Sequence, residues 1–401
     1  MEPISVEEAQ RLVLERAKRL DAERVPLERA YGRVLAEPVG AAVDLPPFPS
    51  SAMDGFALRS AETAAAPVSL TLAGSVAAGA PSARPLGSGE AMAISTGGVV
   101  PEGADAVIPI ELTRTVDGRV EIAEAVKPGT NVRERGGDVS AGALLLEAGT
   151  ALGAAQVGAL AAAGIAEVRC AKRPRVGILV TGSELVKPGE PLRPGEIYES
   201  NGLMLAAQLL SAGAVPAQLG TVPDTAEDHR SAMERALLGF DMLVTSGGAS
   251  VGPHDLVRRV QAELRVEEVF WGVAMKPGKP VAFGVRRDHT LFNLPGNPVS
   301  SLVCFELLVR PAVNALLGLA DPLPIFGRGV LGAPVARNAS RDEFVRASRE
   351  AGEGGEVRLH PLAGQDSHMI ASAARADSLV HIRRGDGEVA AGDAVPYLPL
   401  R

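Results

Sequence analysis

Apolar positions recur at steps of three and four near the start of the chain, at Val6, Ala9, Leu12, Val13 and Ala17. Ser5 precedes them as a plausible N-cap with Glu8 at the capping-box position, so the spacing predicts a short amphipathic helix. Between Asp44 and Asp138 the pattern changes to short Val, Ile, Leu and Ala runs broken by Gly and Pro, as in LTLAGSVAAG, EAMAISTGG and DAVIPIE. Strands joined by turns are expected there. Helical texture returns in GTALGAAQVGALAAAG, residues 149–164. The nesting suggests an N-terminal helical domain made of residues 1–43 and 141–172, interrupted by an inserted β-rich module over residues 44–140.

A different regime starts at Arg175. RVGILVTG is a continuous apolar run ending in a Thr-Gly turn, and YESNGLMLAAQLLSAGA follows as a capped helix stopped by Gly213. The alternation repeats through VPAQLGTV, TAEDHRSAMERALLGF and DMLVTSGGASVG. It ends in TLFNLPGNPVSSLVCFELLVRPAVNALLG, a strand, a Pro-Gly-Asn-Pro turn and a long helix. Such alternation predicts right-handed βαβ crossovers, hence a doubly wound, mostly parallel α/β domain over residues 173–320. Beyond Asp321-Pro322-Leu323-Pro324 short strands and turns resume, which predicts a C-terminal β domain at 321–401. The expected fold class is therefore α/β and multidomain.

A length of 401 residues with 46% apolar side chains supports several separate cores. Aromatic residues make up only 3% and the net charge is −8, which argues against base stacking and against broad attraction for a polyanion; no nucleic-acid partner is expected. Cys170 and Cys304 stand far apart, without metal-ligand spacing, and read as reduced packing residues. The N-terminus is acidic and polar and no run of about 18 uninterrupted apolar residues occurs, so no membrane partner and a cytoplasmic location are expected.

In an open parallel sheet, ligands bind beyond the carboxyl ends of the strands, where loops and helix starts present unpaired N–H groups. Thr181, Gly182 and Glu184 follow the first strand, Ser246, Gly247, Gly248 and Ser250 follow the third, and Pro295, Gly296 and Asn297 follow the last. The SGGASVG turn is a candidate anion cradle and equally an ordinary turn, since no Walker lysine follows it. Asn297 can cap and Pro298 can start the next helix. Glu184, Asp224 and Asp255 fall on the ligand side, where carboxylates could hold Mg²⁺ through water; each alone reads better as a solvated loop acid or a helix cap, and the three together carry the metal reading. Lys276 and Lys279 are aimed by the Pro-Gly-Pro framework of KPGKP, which favours phosphate or oxyanion binding. In the module, Asp54 reads as a turn former, and Arg133 and Arg135 as surface charges. No metal spacing or nucleophile-base-acid order links the histidines; His254 reads as a group supporting Asp255.

The strings SSAMDGFA, ISTGGVVPEGADAVIPIE, NVRERGGDV, RPRVGILVTGSEL, GEIYESN, SGGASVGPHD, FWGVAMKPGKPVAFG and LFNLPGNPVSS occur in this order. Together they resemble the MoeA family of molybdopterin molybdenumtransferases, over roughly residues 1–401. The resemblance implies molybdenum cofactor synthesis: adenylylated molybdopterin and molybdate as substrates, Mg²⁺ as helper, and release of AMP. It implies a homodimer in which the module of one subunit faces the α/β domain of the other, with the upstream adenylyltransferase as a candidate partner. It assigns catalytic roles to Asp54, Glu184, Asp255, Lys276 and Lys279, and the metal to Glu184, Asp224 and Asp255. Binding roles go to Thr96, Arg133, Asp138, Thr181, Gly182, Asp224, Ser246, Gly247, Gly248, Ser250, Pro295, Gly296 and Asn297. A family loop resembling DSHMIAS contributes a serine, either Ser367 or Ser372. Two positions depart from the family pattern: Gly272 stands where a lysine is often found, and Ser183 where an aspartate is. The competing readings are the related adenylyltransferase, which shares the glycine turn, and a scaffold like gephyrin; the extra domains and the acids argue against them in turn.

Overall fold

The computed structural model describes residues 2–223, 225–247, 256–352 and 354–400. Helix α1, Val6–Arg16, starts as its sequence directs: Ser5 Oγ accepts the Glu8 N–H at 3.1 Å. Its buried Val6, Ala9 and Val13 pack against the long helix near residue 305, within the core of the central domain, instead of against the neighbouring segments. Segments 1–43 and 141–172, expected to be helical, contain α1 and α2 (Ala154–Ala162) but also paired strands. Ala22–Pro26 runs antiparallel to Glu167–Ala171, and Val39–Gly40 to Leu144–Leu146. The reason is visible in the burial: Val25, Val168 and Cys170 join a small core with Leu35 and Leu160, a period-two pattern that helix spacing conceals.

The module is a six-stranded sheet in the order Ala106–Pro109, Gly55–Leu58, Glu90–Ile94, Val68–Val76, Arg119–Ile122, Thr113–Val116. Its strands bury both faces: Phe56 and Leu58 enter one apolar cluster and Ala57 the other.

The central sheet comprises β1 (Arg175–Thr181), β2 (Val215–Val222), β3 (Met242–Ser246), β4 (Glu267–Trp271), β5 (Ala282–Arg286) and β6 (His289–Leu294). The spatial order is β2-β1-β3-β6-β5-β4. The β2, β1, β3 and β6 strands are parallel neighbours, whereas β5 and β4 continue the sheet antiparallel. Helices cover both faces, which is why the strands read as unbroken apolar runs. Ile178 and Val180 pack with α3 (Asn201–Ser211) on one face, and Leu179 packs with α4 (Ala226–Gly239) and α5 (Leu256–Glu263) on the other. Helix α6, Pro298–Leu316, is long and apolar enough to cross a membrane by length and composition, but most of it is buried under this sheet.

In the C-terminal region Asp342–Ala351, Val357–Pro361, Gly327–Leu331, Ala394–Pro399 and Ser378–Ile382 form a ring of paired strands. Its outer neighbour is Met275–Lys276, a strand supplied by the central domain.

A candidate active-site cleft

The rungs Val180↔Ser246 and Ser246↔Leu294 are the last that join β1, β3 and β6. Beyond them the chains diverge and leave a cleft of about 690 Å³. Thr181, Gly182 and Glu184 form one wall, and Ser246, Gly247 and the turn Pro295–Pro298 the floor. Glycine is required here by close approach. Gly247 has φ 92°, and a Cβ on it would lie 2.6 Å from the Thr181 carbonyl oxygen. At Gly182, φ 146°, a Cβ would meet the Glu184 carboxylate at 2.7 Å, so this acid folds back over the strand end.

Two helices begin at the cleft, α3 and α6, and the positive ends of their dipoles favour an anion, with the Gly202 and Val299 N–H groups already bonded within the protein. Glu199 lines the cleft beside the start of α3, where Oε1 accepts the Gly202 N–H at 2.6 Å. Asn201, the first residue of α3, donates from Nδ2 to Ser246 Oγ at 2.8 Å and to the Gly296 carbonyl at 2.7 Å. Ser301 Oγ donates to the Pro295 carbonyl at 2.5 Å. The Ser246 hydroxyl therefore belongs to a buried network below the cleft floor.

Pro298 starts α6 as its sequence suggests, but Asn297 makes no side-chain cap. Its Nδ2 instead donates to Ser367 Oγ at 2.9 Å, and the Val299 N–H donates to the Ser367 carbonyl at 3.1 Å. This brings a loop of the C-terminal region to the cleft, with His368 lining it. Ser372 points elsewhere, donating to the Ala363 carbonyl at 2.8 Å. Behind the loop lies Arg346, 1% exposed. Its guanidinium donates to the carbonyls of Gly364, Asp366 and Met369 and to Gln365 Oε1. Burial draws its pKa down, partly opposed by Asp366.

Lys276 and Lys279 are both exposed. Lys276 Nζ pairs with Glu343 Oε1 at 3.0 Å, following the strand register Lys276↔Glu343. Lys279 has no ion-pair partner among the described residues, and the adjoining Pro280 lines the cleft. Gly272 has φ 85° and lies beside Pro3.

In the module, Asp54 Oδ1 accepts the Thr96 N–H at 2.6 Å and its Oγ1–H at 3.0 Å. The backbone bond first, and the hydroxyl second, hold this exposed carboxyl below the usual aspartate range. Arg133 pairs by strand register with Ser50, so Asp54, Thr96 and Arg133 occupy neighbouring segments of one edge. Asp138 is exposed, and its N–H donates to the Leu45 carbonyl. Arg135, read as a solvated charge, pairs with Asp44 at 2.5 Å. Among the described residues no hydrogen bond or ion pair joins residues 44–140 to the central domain.

Asp224, Gly248, Ser250 and Asp255 lie outside the described residues, as does His254. Among the described residues no group of three or more His, Cys, Asp or Glu could hold a metal ion, and Glu184 is the one acid of the expected metal set. Sequence reading missed Glu199, Asn201, Ser301 and Arg346. The GEIYESN string carried the first two, and Arg346 gave a signal only as a lone cation within the apolar strand EFVRAS.

Three stretches match models of known families: residues 4–164 the MoeA N-terminal region (domain I and II), 177–315 a probable molybdopterin binding domain, and 328–400 the MoeA C-terminal region (domain IV). A molybdopterin molybdenumtransferase 2 of Mycobacterium tuberculosis is 38% identical over 397 residues, 97% of each chain. A molybdopterin molybdenumtransferase of Bacillus subtilis is 35% identical, covering 100% of this chain and 94% of its own. A solved molybdopterin biosynthesis MoeA protein from Pyrococcus horikoshii superposes with a TM-score of 0.85 at 29% identity, covering 99% of this chain and 100% of its own.

Proposed function

The chain belongs to the MoeA family, and from that premise we propose that its cleft inserts molybdate into adenylylated molybdopterin with release of AMP. As a molybdopterin molybdenumtransferase it is an enzyme of molybdenum cofactor biosynthesis. The observation that carries the finer reading is the convergence of two helix starts and the Glu184 carboxylate on one cleft at the carboxyl ends of β1, β3 and β6. Helix starts bind the phosphates of an anionic substrate, and a hard carboxylate oxygen suits Mg²⁺.

Glu184, with Asp224 and Asp255, would hold Mg²⁺, whose charge would offset the negative charge that develops on the departing AMP phosphate. Lys279, exposed and without an ion-pair partner among the described residues, is suited to receive the tetrahedral oxyanion beside Pro280, and Lys276 supports it from its pairing with Glu343. Thr181, Gly182, Gly247, Pro295, Gly296 and Asn297 line the cleft as the phosphate and pterin surface, and Gly248 and Ser250 are assigned to it by the family resemblance alone. Asp54, Thr96, Arg133 and Asp138 complete the site from the module of a second subunit, in a cytoplasmic homodimer that receives substrate from the upstream adenylyltransferase. The domain limits that accompany this reading are 1–43 with 141–172, 44–140, 173–320 and 321–401.

The test is incubation of the protein with adenylylated molybdopterin, Mg²⁺ and molybdate, following AMP and protein-bound molybdenum. AMP release coupled to molybdenum uptake is expected. AMP release without metal uptake, or substrate consumption only with ATP, would point to the adenylyltransferase reading.

A further inference from the structure

Asn201 is 8% exposed and sits where three structural pieces meet. It opens α3, it touches the end of β3 through Ser246, and it touches the turn after β6 through Gly296. Among the described residues no other hydrogen bond joins α3 to the turn Pro295–Asn297. Both amide hydrogens of Asn201 are thereby used.

The orientation of this amide is fixed by chemistry. A backbone carbonyl only accepts, so the group 2.7 Å from the Gly296 oxygen has to be the nitrogen; reversing the amide would set two acceptors against each other. The consequence is that Asn201 Oδ1, which is buried, finds no donor among the described residues. Turning the amide to another rotamer would release both Ser246 and Gly296. On the far side the same turn is held by Ser301 Oγ on the Pro295 carbonyl, so the peptide at 295–296 is gripped from two directions. The next residue, Asn297, faces the cleft and leads into α6.

We propose that Asn201 is a positioning residue: by donating simultaneously to Ser246 and Gly296 it sets the distance between the two helix starts that bind the substrate. This rests on the functional reading above for what the cleft binds, but not for what the amide holds. It acts through the turn, without touching the reacting atoms.

Three variants separate the two ends of the bridge. In Asn201→Asp the bond at Ser246 survives only with its direction reversed, the carboxylate accepting from the serine hydroxyl, while the Gly296 carbonyl is repelled, so the turn is freed first. Ser246→Ala removes the strand end and leaves the Gly296 bond. Asn201→Ala removes both. The expected result is faster amide hydrogen exchange confined to residues 294–301 in Asn201→Asp, with a smaller rise over the same residues in Ser246→Ala, which keeps the Gly296 bond but loses the 3.4 Å contact to the Pro295 carbonyl. In the insertion assay KM for adenylylated molybdopterin rises about tenfold in Asn201→Asp, the size of one hydrogen bond lost at a charged ligand, while kcat stays within a few-fold. Unchanged exchange at 294–301, exchange raised throughout the central sheet, or a fall in kcat at constant KM would each overturn the proposal. Should the wild-type protein insert no molybdenum, the functional reading fails, while the exchange comparison still decides the role of Asn201.

Discussion

The cleft and the module edge carry polar residues of similar kinds but hold them in opposite ways. In the cleft the polar groups beneath the floor are buried and tied: Ser246 and Ser301 are 1% and 0% exposed, and both bond to groups of the central domain. At the module edge Asp54, Thr96 and Arg133 are exposed, and Asp54 and Thr96 bond mainly to each other. The first region is held by its own hydrogen bonds. The second presents charges to water, where they do little until another surface excludes it. In the proposed homodimer the exposed edge would gain its effect by being covered by the cleft of a second subunit.

The comparison breaks most decisively by mixing subunits. Glu184→Gln in the cleft and Asp54→Asn in the module are each expected to reduce AMP release more than a hundredfold, the scale of lost charge stabilisation at a transition state. Both side chains are exposed, so melting temperatures stay near wild type. Co-refolded, the two inactive variants should regain roughly a quarter of wild-type activity, because half the dimers are mixed and each of those holds one intact site. No recovery would mean that the module edge serves its own chain or plays no part.

Arg346 sharpens the comparison from the buried side. Arg346→Met preserves bulk but leaves the carbonyls of Gly364, Asp366 and Met369 without their donor. The expected loss is about 3 kcal/mol in urea unfolding, with the Ser367 contact to Asn297 loosened. A variant as stable as wild type would show that the loop is held by its other contacts.

Much of this was legible in the sequence. The βαβ alternation gave the parallel half of the central sheet, because strands covered on both faces write themselves as apolar runs such as RVGILVT. The glycine and proline turns marked the cleft, since close backbone approach leaves few residue choices. What stayed hidden depended on long-range pairing. Nothing near Val25 announces Val168, far along the chain, as its partner, nor does EFVRAS reveal that its arginine is solvated by carbonyls of a loop some 20 residues away. Asn201 was hidden for the same reason: an asparagine at a helix start reads as a cap, and its buried bridge exists only in three dimensions.

A smaller effect is expected at Gly272. Lysine there would add the cation that the family pattern often carries, but at φ 85° a side chain costs about 1–2 kcal/mol. Gly272→Lys should therefore melt a few degrees lower while the KM for molybdate falls several-fold. A lower melting point with unchanged KM would show that Lys276 and Lys279 already saturate the oxyanion site.

The smallest effect separates the two bonds at the module edge. The folded pKa of Asp54 lies below its ordinary value because Thr96 bonds the charged form, through its N–H first and its hydroxyl second. A carboxyl depressed in this way stabilises the fold above its unfolded pKa and loses that contribution as pH falls through the folded value. Thr96→Val removes only the hydroxyl. The Asp54 titration midpoint, read by carbon NMR of the side chain, should then move upward while staying below the ordinary aspartate value, because the larger backbone contribution survives. The Ser50–Asp54 segment should loosen at a correspondingly higher pH. A midpoint that does not move would show that the hydroxyl leaves the charge of Asp54 unaffected, and that the Thr96 N–H alone holds the acid at this edge.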